Sequence, residues 1–257
     1  MADTTLLGRP VWFELMTSDM TAAEAFYTAV VGWSIKPGSN AGTPYDELIR
    51  PDGKQTVGGV MTLPKDMPMP PCWSMYFGTP GLEDTAARIT GAGGSACSPI
   101  IDIPNVGRMQ VMADPQGATF NIFEPSGPDM PETMPTLGDV SWLELMTADA
   151  PAAMAFYRTL FGWREEPAVD MGPMGMYHMF GRQWPIGGMM NKLPEMAQVP
   201  NSWGLYFHVP DVDAATEVVK AHGGQILNGP MDVPGGDRVV NCLDPQGAAF
   251  SLHSRRG

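Results

Sequence analysis

Apolar positions along the chain switch between two periods, and the switches recur in a fixed order. "VWFELMT" from Val11 alternates in the two-residue period of a strand, whereas "MTAAEAFYTAVVG" from Met20 has helical spacing and stops at Gly32. "YDELIR" and "TVGGVMTL" follow as strands. A second round begins with the strand "WSMYFGT", continues with the glycine-stopped helix "LEDTAARITGAGG" and closes with the hairpin "RMQVMADPQGATFNIFE". The pattern predicts βαβββ twice in each half of the chain. Four such units are expected to form curled mixed sheets whose concave faces make cups.

The halves are copies. "WFELMTSDMTAAEAFYTAVVGW" from Trp12 returns as "WLELMTADAPAAMAFYRTLFGW" from Trp142. Glu14 and Glu144, Asp19 and Asp149, Tyr27 and Tyr157, and Trp33 and Trp163 all lie 130 apart (149 − 19), as do the two "DPQG" runs at Asp114 and Asp244. Around "TVGGVM" and "PIGGMM" the offset slips to 129 (187 − 58). The "EPSGPDMPETMPTLGD" stretch reads as an extended linker, because each proline disfavours helix at and before its own position. The expected organisation is a first domain over 8–126, a linker over 127–137 and a second domain over 138–254.

Alternation puts residues i, i+2 and i+4 on one strand face. With Phe13, Leu15 and Thr17 turned to the helices, the cup face carries Trp12, Glu14 and Met16, and its copy carries Trp142, Glu144 and Met146. A carboxylate on a Trp and Met face costs several kcal/mol unless paired or protonated. Glu14 and Glu144 are therefore candidate general bases, or else structural glutamates satisfied by a nearby Tyr, Trp or amide. Tyr76 and Tyr206 fall on the same faces as candidate hydrogen-bond donors. The methionines Met16, Met146, Met189 and Met190 would line or neighbour the cups. All four histidines lie in the second half. His222 reads as a surface helix end, and His178 falls in an uneven segment. His208 and His253 could join a glutamate in a 2-His-1-carboxylate metal site, although neighbouring antiparallel strands would tend to separate them. Arg108 and Arg238 read as anion clamps or as partners of Asp102 and Asp232.

Composition narrows the classes. Of 257 residues, 44% are hydrophobic and 17% charged, which fits an ordered globular chain. The net charge of −13 and the lack of any Lys/Arg run beyond the Arg255–Arg256 tail argue against a nucleic-acid partner. Three scattered cysteines, Cys72, Cys97 and Cys242, suit a reducing compartment and offer no thiolate metal site. Neither an apolar leader nor an 18-residue apolar run is present, so the expectation is a cytoplasmic protein with no membrane partner.

The "D-x-x-A-A-x-x-F-Y-x-x-x-x-G-W" phrase, the "DPQG" hairpin and the paired βαβββ units resemble the vicinal oxygen chelate superfamily of glyoxalase, bleomycin-resistance and extradiol-dioxygenase proteins. The tandem "W-x-E-L-M-T" form is similar to two-domain glyoxalase-like proteins first noticed as actinobacterial antigens. The resemblance covers about 10–125 and 139–254. It implies an α+β fold of two tandem vicinal-oxygen-chelate domains. It also implies a divalent metal held by His and Glu, but at those places this chain has Trp12 and Trp142, Ser74 and Gly204, Asn121 and Ser251, and the pairs Gly58, Gly59 and Gly187, Gly188. No cofactor is therefore expected, a divalent metal being the alternative. The leading expectation is a metal-independent protein that binds an apolar or aromatic oxygenated small molecule, with Glu14, Glu144, Tyr76 and Tyr206 doing acid–base chemistry as a lyase or isomerase. Trp12, Met16, Trp142, Met146, Asn121, Ser251, His208 and His253 would line the ligand. The rivals are a metal-dependent glyoxalase-like or dioxygenase-like enzyme using His208 and His253, and a non-enzymatic interaction or sequestering protein. A monomer and a homodimer both stand.

Overall fold

A computed structural model describes residues 6–40, 42–64, 69–128 and 132–255. The middle of the expected linker, part of the "TLPKDMPMPPC" corner and the Arg256 end of the tail lie outside the described residues. The first βαβββ unit comprises β1 (Pro10–Thr17), α1 (Met20–Val31), β2 (Ser34–Lys36), β3 (Ser39–Asn40), β4 (Thr43–Ile49) and β5 (Thr56–Thr62). The second runs β6 (Cys72–Gly78), α2 (Leu82–Gly91), β7 (Ser95–Ala96), β8 (Ile101–Ile103), β9 (Gly107–Ala113) and β10 (Thr119–Pro125). The third repeats the first as β11 (Val140–Thr147), α3 (Ala150–Phe161), β12 (Arg164–Glu165), β13 (Val169–Asp170), β14 (Met176–Gly181) and β15 (Pro185–Asn191). The fourth is β16 (Ser202–His208), α4 (Val212–Ala221), β17 (Gln225–Asp232), β18 (Arg238–Leu243) and β19 (Ala249–Ser254).

The strands of the first half follow the order β2-β4-β5-β1-β6-β10-β9-β7, and those of the second follow β12-β14-β15-β11-β16-β19-β18-β17. Parallel pairs, β1 with β5 and β6 with β10 in the first half and β11 with β15 and β16 with β19 in the second, sit among antiparallel ones, so both sheets are mixed, as the sequence predicts. Compactness follows a different division. One compact unit takes Met1–Val11, Met75–Glu132 and Trp142–Trp203; the other takes Trp12–Ser74, Thr133–Ser141 and Gly204–Gly257. Each unit therefore joins one βαβββ module from each half.

The repeated phrase is explained inside these units. Asp19 and Asp149 cap α1 and α3, accepting from the Ala22 and Ala152 amides at 3.0 Å, and Gly32 and Gly162 end them in the left-handed region. In one unit the buried Tyr27 hydroxyl donates to Asp244 (3.1 Å) and accepts from the Trp73 indole (2.8 Å). In the other, Tyr157 donates to Asp114 (3.1 Å) and accepts from Trp203 (3.2 Å). The same aspartates hold their hairpins, Asp114 through the Gln116 and Ala118 amides and Asp244 through those of Gln246 and Ala248. "FY" and "DPQG" thus recur because each tyrosine is buried against the turn of the other half. Trp33 and Trp163 close the phrase by donating to the Gly138 and Gly8 carbonyls, both at 2.8 Å. Aromatic contacts fill the cores, edge-on between Phe26 and Phe250 and between Trp33 and Phe207 in one unit, tilted between Phe77 and Phe161 and stacked between Trp163 and Phe180 in the other.

Candidate functional site

The glutamate of each "W-x-E" is answered by a tyrosine that the repeat offset hides. On β1, Leu15 and Thr17 are buried, while Trp12, Glu14 and Met16 are half-buried on the other face. Tyr45 of β4 reaches that face. Its hydroxyl accepts from Trp12 Nε1 at 2.7 Å and hydrogen-bonds the Glu14 carboxylate. An indole N–H can only donate, so the phenol must accept from it and its one proton is left for the carboxylate. The third unit repeats the arrangement: Trp142 Nε1 donates to Tyr177 at 2.7 Å, and Tyr177 donates to Glu144 Oε2 at 3.0 Å.

The glycine pairs make this possible. Glu14 pairs with Gly59 and Glu144 with Gly188 in the parallel register of β1 with β5 and β11 with β15. A Cβ built at Gly59 would fall on the Tyr45 ring, and one at Gly188 on the Tyr177 ring. Each tyrosine therefore lies across its strand only because the residue beside the glutamate has no side chain. Gly58 and Gly187 serve the other face, where a Cβ would strike the Phe13 and Leu143 carbonyls. Met61 and Met190, in register with Met16 and Met146, continue the relay face as half-buried thioethers. Met189, expected beside the cup, is instead fully buried in the core.

Electrostatics define what the relay can do. Burial pushes the Tyr45 phenol upward, the Glu14 charge pushes it further and the Trp12 bond opposes them. Tyr45 is thus held as a proton donor rather than a phenolate. Cys72 is raised by burial and by the Glu14 charge, so it stays a thiol. A neutral phenol aimed at a carboxylate on a half-open aromatic and thioether face can bind an oxygenated ring and move a proton to or from it.

The other expected residues divide. Tyr76 is buried, in register with Asn121 and edge-on to Phe123; Asn121 donates to the Met75 carbonyl at 3.2 Å. Tyr206 and Ser251 are buried and in register, and both accept from Asn241 Nδ2, at 3.3 and 2.8 Å. Arg108 is held by Glu83 and Glu124 rather than by Asp102, and Arg238 by Asp213 as well as Asp232. His222 caps α4 on the surface as expected, and His178 falls within β14. Sequence reasoning missed Tyr45 and Tyr177. Each lies near the start of a strand and is followed five residues later by an arginine, Arg50 or Arg182, just past the strand's end, but they stand 132 apart (177 − 45), so a search at the fixed offset passes over them.

His208 and His253 were expected to be separated by antiparallel shifts. The reverse holds, because β16 and β19 are parallel and pair the two residues directly, with ring centroids 5.4 Å apart. Their donors do not suit a chelate. His253 Nδ1 meets Ser141 Oγ at 2.8 Å and Nε2 meets Asp237 Oδ2 at 2.9 Å. His208 bonds the Thr136 backbone, and its ring is pushed toward neutrality by burial first, then by His253 and Arg255. Among the described residues no three His, Cys, Asp or Glu side chains are grouped to hold a metal ion. The residues present do not fit the His and Glu metal set that the resemblance implies.

Comparison with known proteins decides the family. Residues 139–252 match the model of the glyoxalase/bleomycin resistance protein/dioxygenase superfamily, and residues 12–123 match that of the glyoxalase-like domain. CFP32 of Mycobacterium tuberculosis (strain CDC 1551 / Oshkosh), which carries a provisional glyoxylase name, is 31% identical over 95% of this chain and 94% of its own. The chain belongs to the glyoxalase/bleomycin resistance/dioxygenase superfamily. Another superfamily relative is the anthracycline biosynthesis protein DauV of Streptomyces sp. (strain C5), 33% identical over 95% of this chain and 92% of its own. Solved superfamily structures share the fold at low identity. The Mn(II)-bound glyoxalase from Novosphingobium aromaticivorans aligns with a TM-score of 0.63 and 14% identity, covering 96% of this chain and 82% of that one. The 2,2',3-trihydroxybiphenyl 1,2-dioxygenase from Sphingomonas wittichii strain RW1 gives 0.67 and 14%, covering 97% and 91%. No helix among the described residues is long and apolar enough to cross a membrane.

Proposed function

We propose that this superfamily member binds an apolar or aromatic oxygenated small molecule against its Trp–Tyr–Glu faces and acts on it without a divalent metal, as a lyase or isomerase. The observation that carries the reading is the relay itself, built twice from the same three residue types and each time admitted by a glycine beside the glutamate. The glutamate is the base, and the tyrosine, whose proton rests on that carboxylate, turns it to a substrate oxygen once the glutamate has taken a proton from the ligand. Trp12 and Trp142 supply the flat wall, and Met16 and Met146 an adaptable apolar one. The name of DauV supports an anthracycline, a fused oxygenated aromatic, as the first compound to try. The donor set around His208 and His253 supports the metal-independent form.

The test is titration of tryptophan fluorescence with an anthracycline on the wild type and on Glu14→Gln with Glu144→Gln, with turnover of the ligand followed by mass spectrometry. The reading expects weaker binding by tenfold or more, about 1.4 kcal/mol, in the double variant and loss of any turnover. Unchanged affinity and turnover would sink it. Binding without turnover in the wild type would leave a sequestering protein, and the catalytic part of the proposal would fall.

A further inference from the structure

The second half carries a polar cluster with no counterpart in the first. At the 130-residue offset Ser141 stands against Val11, His208 against Gly78, Asp237 against Gly107 and His253 against Phe123. The fold does not need these side chains, since the first half builds the same strands without them.

Hydrogen bonding fixes the direction of the cluster. Asp237 Oδ2 lies 2.9 Å from His253 Nε2, and an ionised carboxylate only accepts, so Nε2 carries the ring proton and Nδ1 presents its lone pair. Ser141 Oγ lies 2.8 Å from that lone pair and 3.3 Å from the Tyr206 carbonyl. The hydroxyl has one proton, and the shorter contact takes it to the imidazole. Serine, then histidine, then aspartate is the order that activates a nucleophile, here with the imidazole nitrogens used in the reverse sense to serine proteases. The His253 side chain is 12% exposed, Ser141 is half-buried, and Asp237 is 39% exposed at the surface. Beside them His208, 8% exposed, buries an Nδ1 that has no hydrogen-bond partner among the described residues. A bound donor would satisfy that atom.

We propose that Ser141, His253 and Asp237 form a second reactive centre, an acyl-accepting serine for small activated esters, separate from the glutamate relays. In the forward step Ser141 Oγ bonds to the acyl carbon while its proton passes to His253 Nδ1, and Asp237 pairs the imidazolium. The bond to the leaving alkoxide breaks with its electron pair, and His253 returns the proton to it. Water, deprotonated by Nδ1, then attacks the acyl-serine, releases the carboxylic acid and restores the Ser141 hydroxyl. A fluorophosphonate stops at the first step, because Oγ displaces fluoride from phosphorus and the adduct persists.

The experiment is treatment of the full chain with a fluorophosphonate, read by intact mass and peptide mapping. We expect one adduct per chain on Ser141, absent in Ser141→Ala. A positioned base is worth about 10²–10⁴-fold, so His253→Phe, the residue of the first half, should slow labelling by that much. Asp237→Asn, altered at a surface-exposed side chain, should slow it at least tenfold with the circular dichroism spectrum unchanged. No adduct on the wild type, an adduct on another residue, or labelling indifferent to both Asp237→Asn and His253→Phe would overturn the proposal.

Discussion

Gly188→Ala should destabilise this protein, and the size of the effect follows from the relay. Gly188 lies outside the left-handed region, so alanine fits its backbone and, other things equal, stabilises by about 0.4–1 kcal/mol through the unfolded chain. The added Cβ, however, would land on the Tyr177 ring, which must swing off β15. That movement forfeits the neutral bond from Trp142, about 1 kcal/mol, and the bond to the Glu144 carboxylate, about 1.5–3 kcal/mol. Water reaching these half-buried groups pulls the sum toward its lower end, leaving a net loss of about 2 kcal/mol. The assay is a double-mutant cycle in urea with Tyr177→Ala. Without the ring, Gly188→Ala should be neutral or stabilising by up to about 1 kcal/mol, so the coupling should be about 2 kcal/mol or more. Equal effects of Gly188→Ala in both backgrounds would refute the reasoning.

Two further outcomes follow from the packing and the charges. Tyr157→Phe leaves the buried Asp114 carboxylate and the Trp203 indole each short of a partner, so thermal unfolding should show a loss of about 1–3 kcal/mol; an unchanged midpoint would mean that water or another donor replaces the phenol. The Glu24 carboxyl is pushed up from 4.5 to about 7 by burial first, then by its bond to Asp46 and the Asp46 charge. A raised folded value means that the native chain holds this proton more tightly. Its stabilising contribution is full below about pH 4.5 and is lost as pH rises through about 7. Urea midpoints should therefore fall between pH 5 and 8, and Asp46→Asn should flatten that slope.

The order of elements was open to reading because period, caps and glycine stops are local signals: Asp19 with Gly32 and Asp149 with Gly162 mark their helices in the sequence as in the structure. The duplication also told which residues share a face, and Glu14 and Glu144 stand where alternation put them, beside Trp and Met. Three things were not legible. Tyr45 and Tyr177 sit on strands whose register against β1 and β11 depends on loops of unequal length, so no fixed spacing ties them to the glutamates. The glycine pairs looked like missing metal ligands, but their role is steric, and only the ring above them reveals it. His208 and His253 pair because β16 and β19 run parallel, a long-range choice that neither strand's own pattern encodes. Each miss concerns how two distant strands align.

The most direct test of the central claim, that the Trp–Tyr–Glu faces are where this protein meets its ligand, is a crystal structure of the full chain with an anthracycline bound. The account predicts the fused ring against Trp12 or Trp142, with a ligand oxygen within hydrogen-bonding distance of Tyr45, Tyr177 or the adjoining glutamate. Ligand density elsewhere, with both relays intact and untouched, would contradict it.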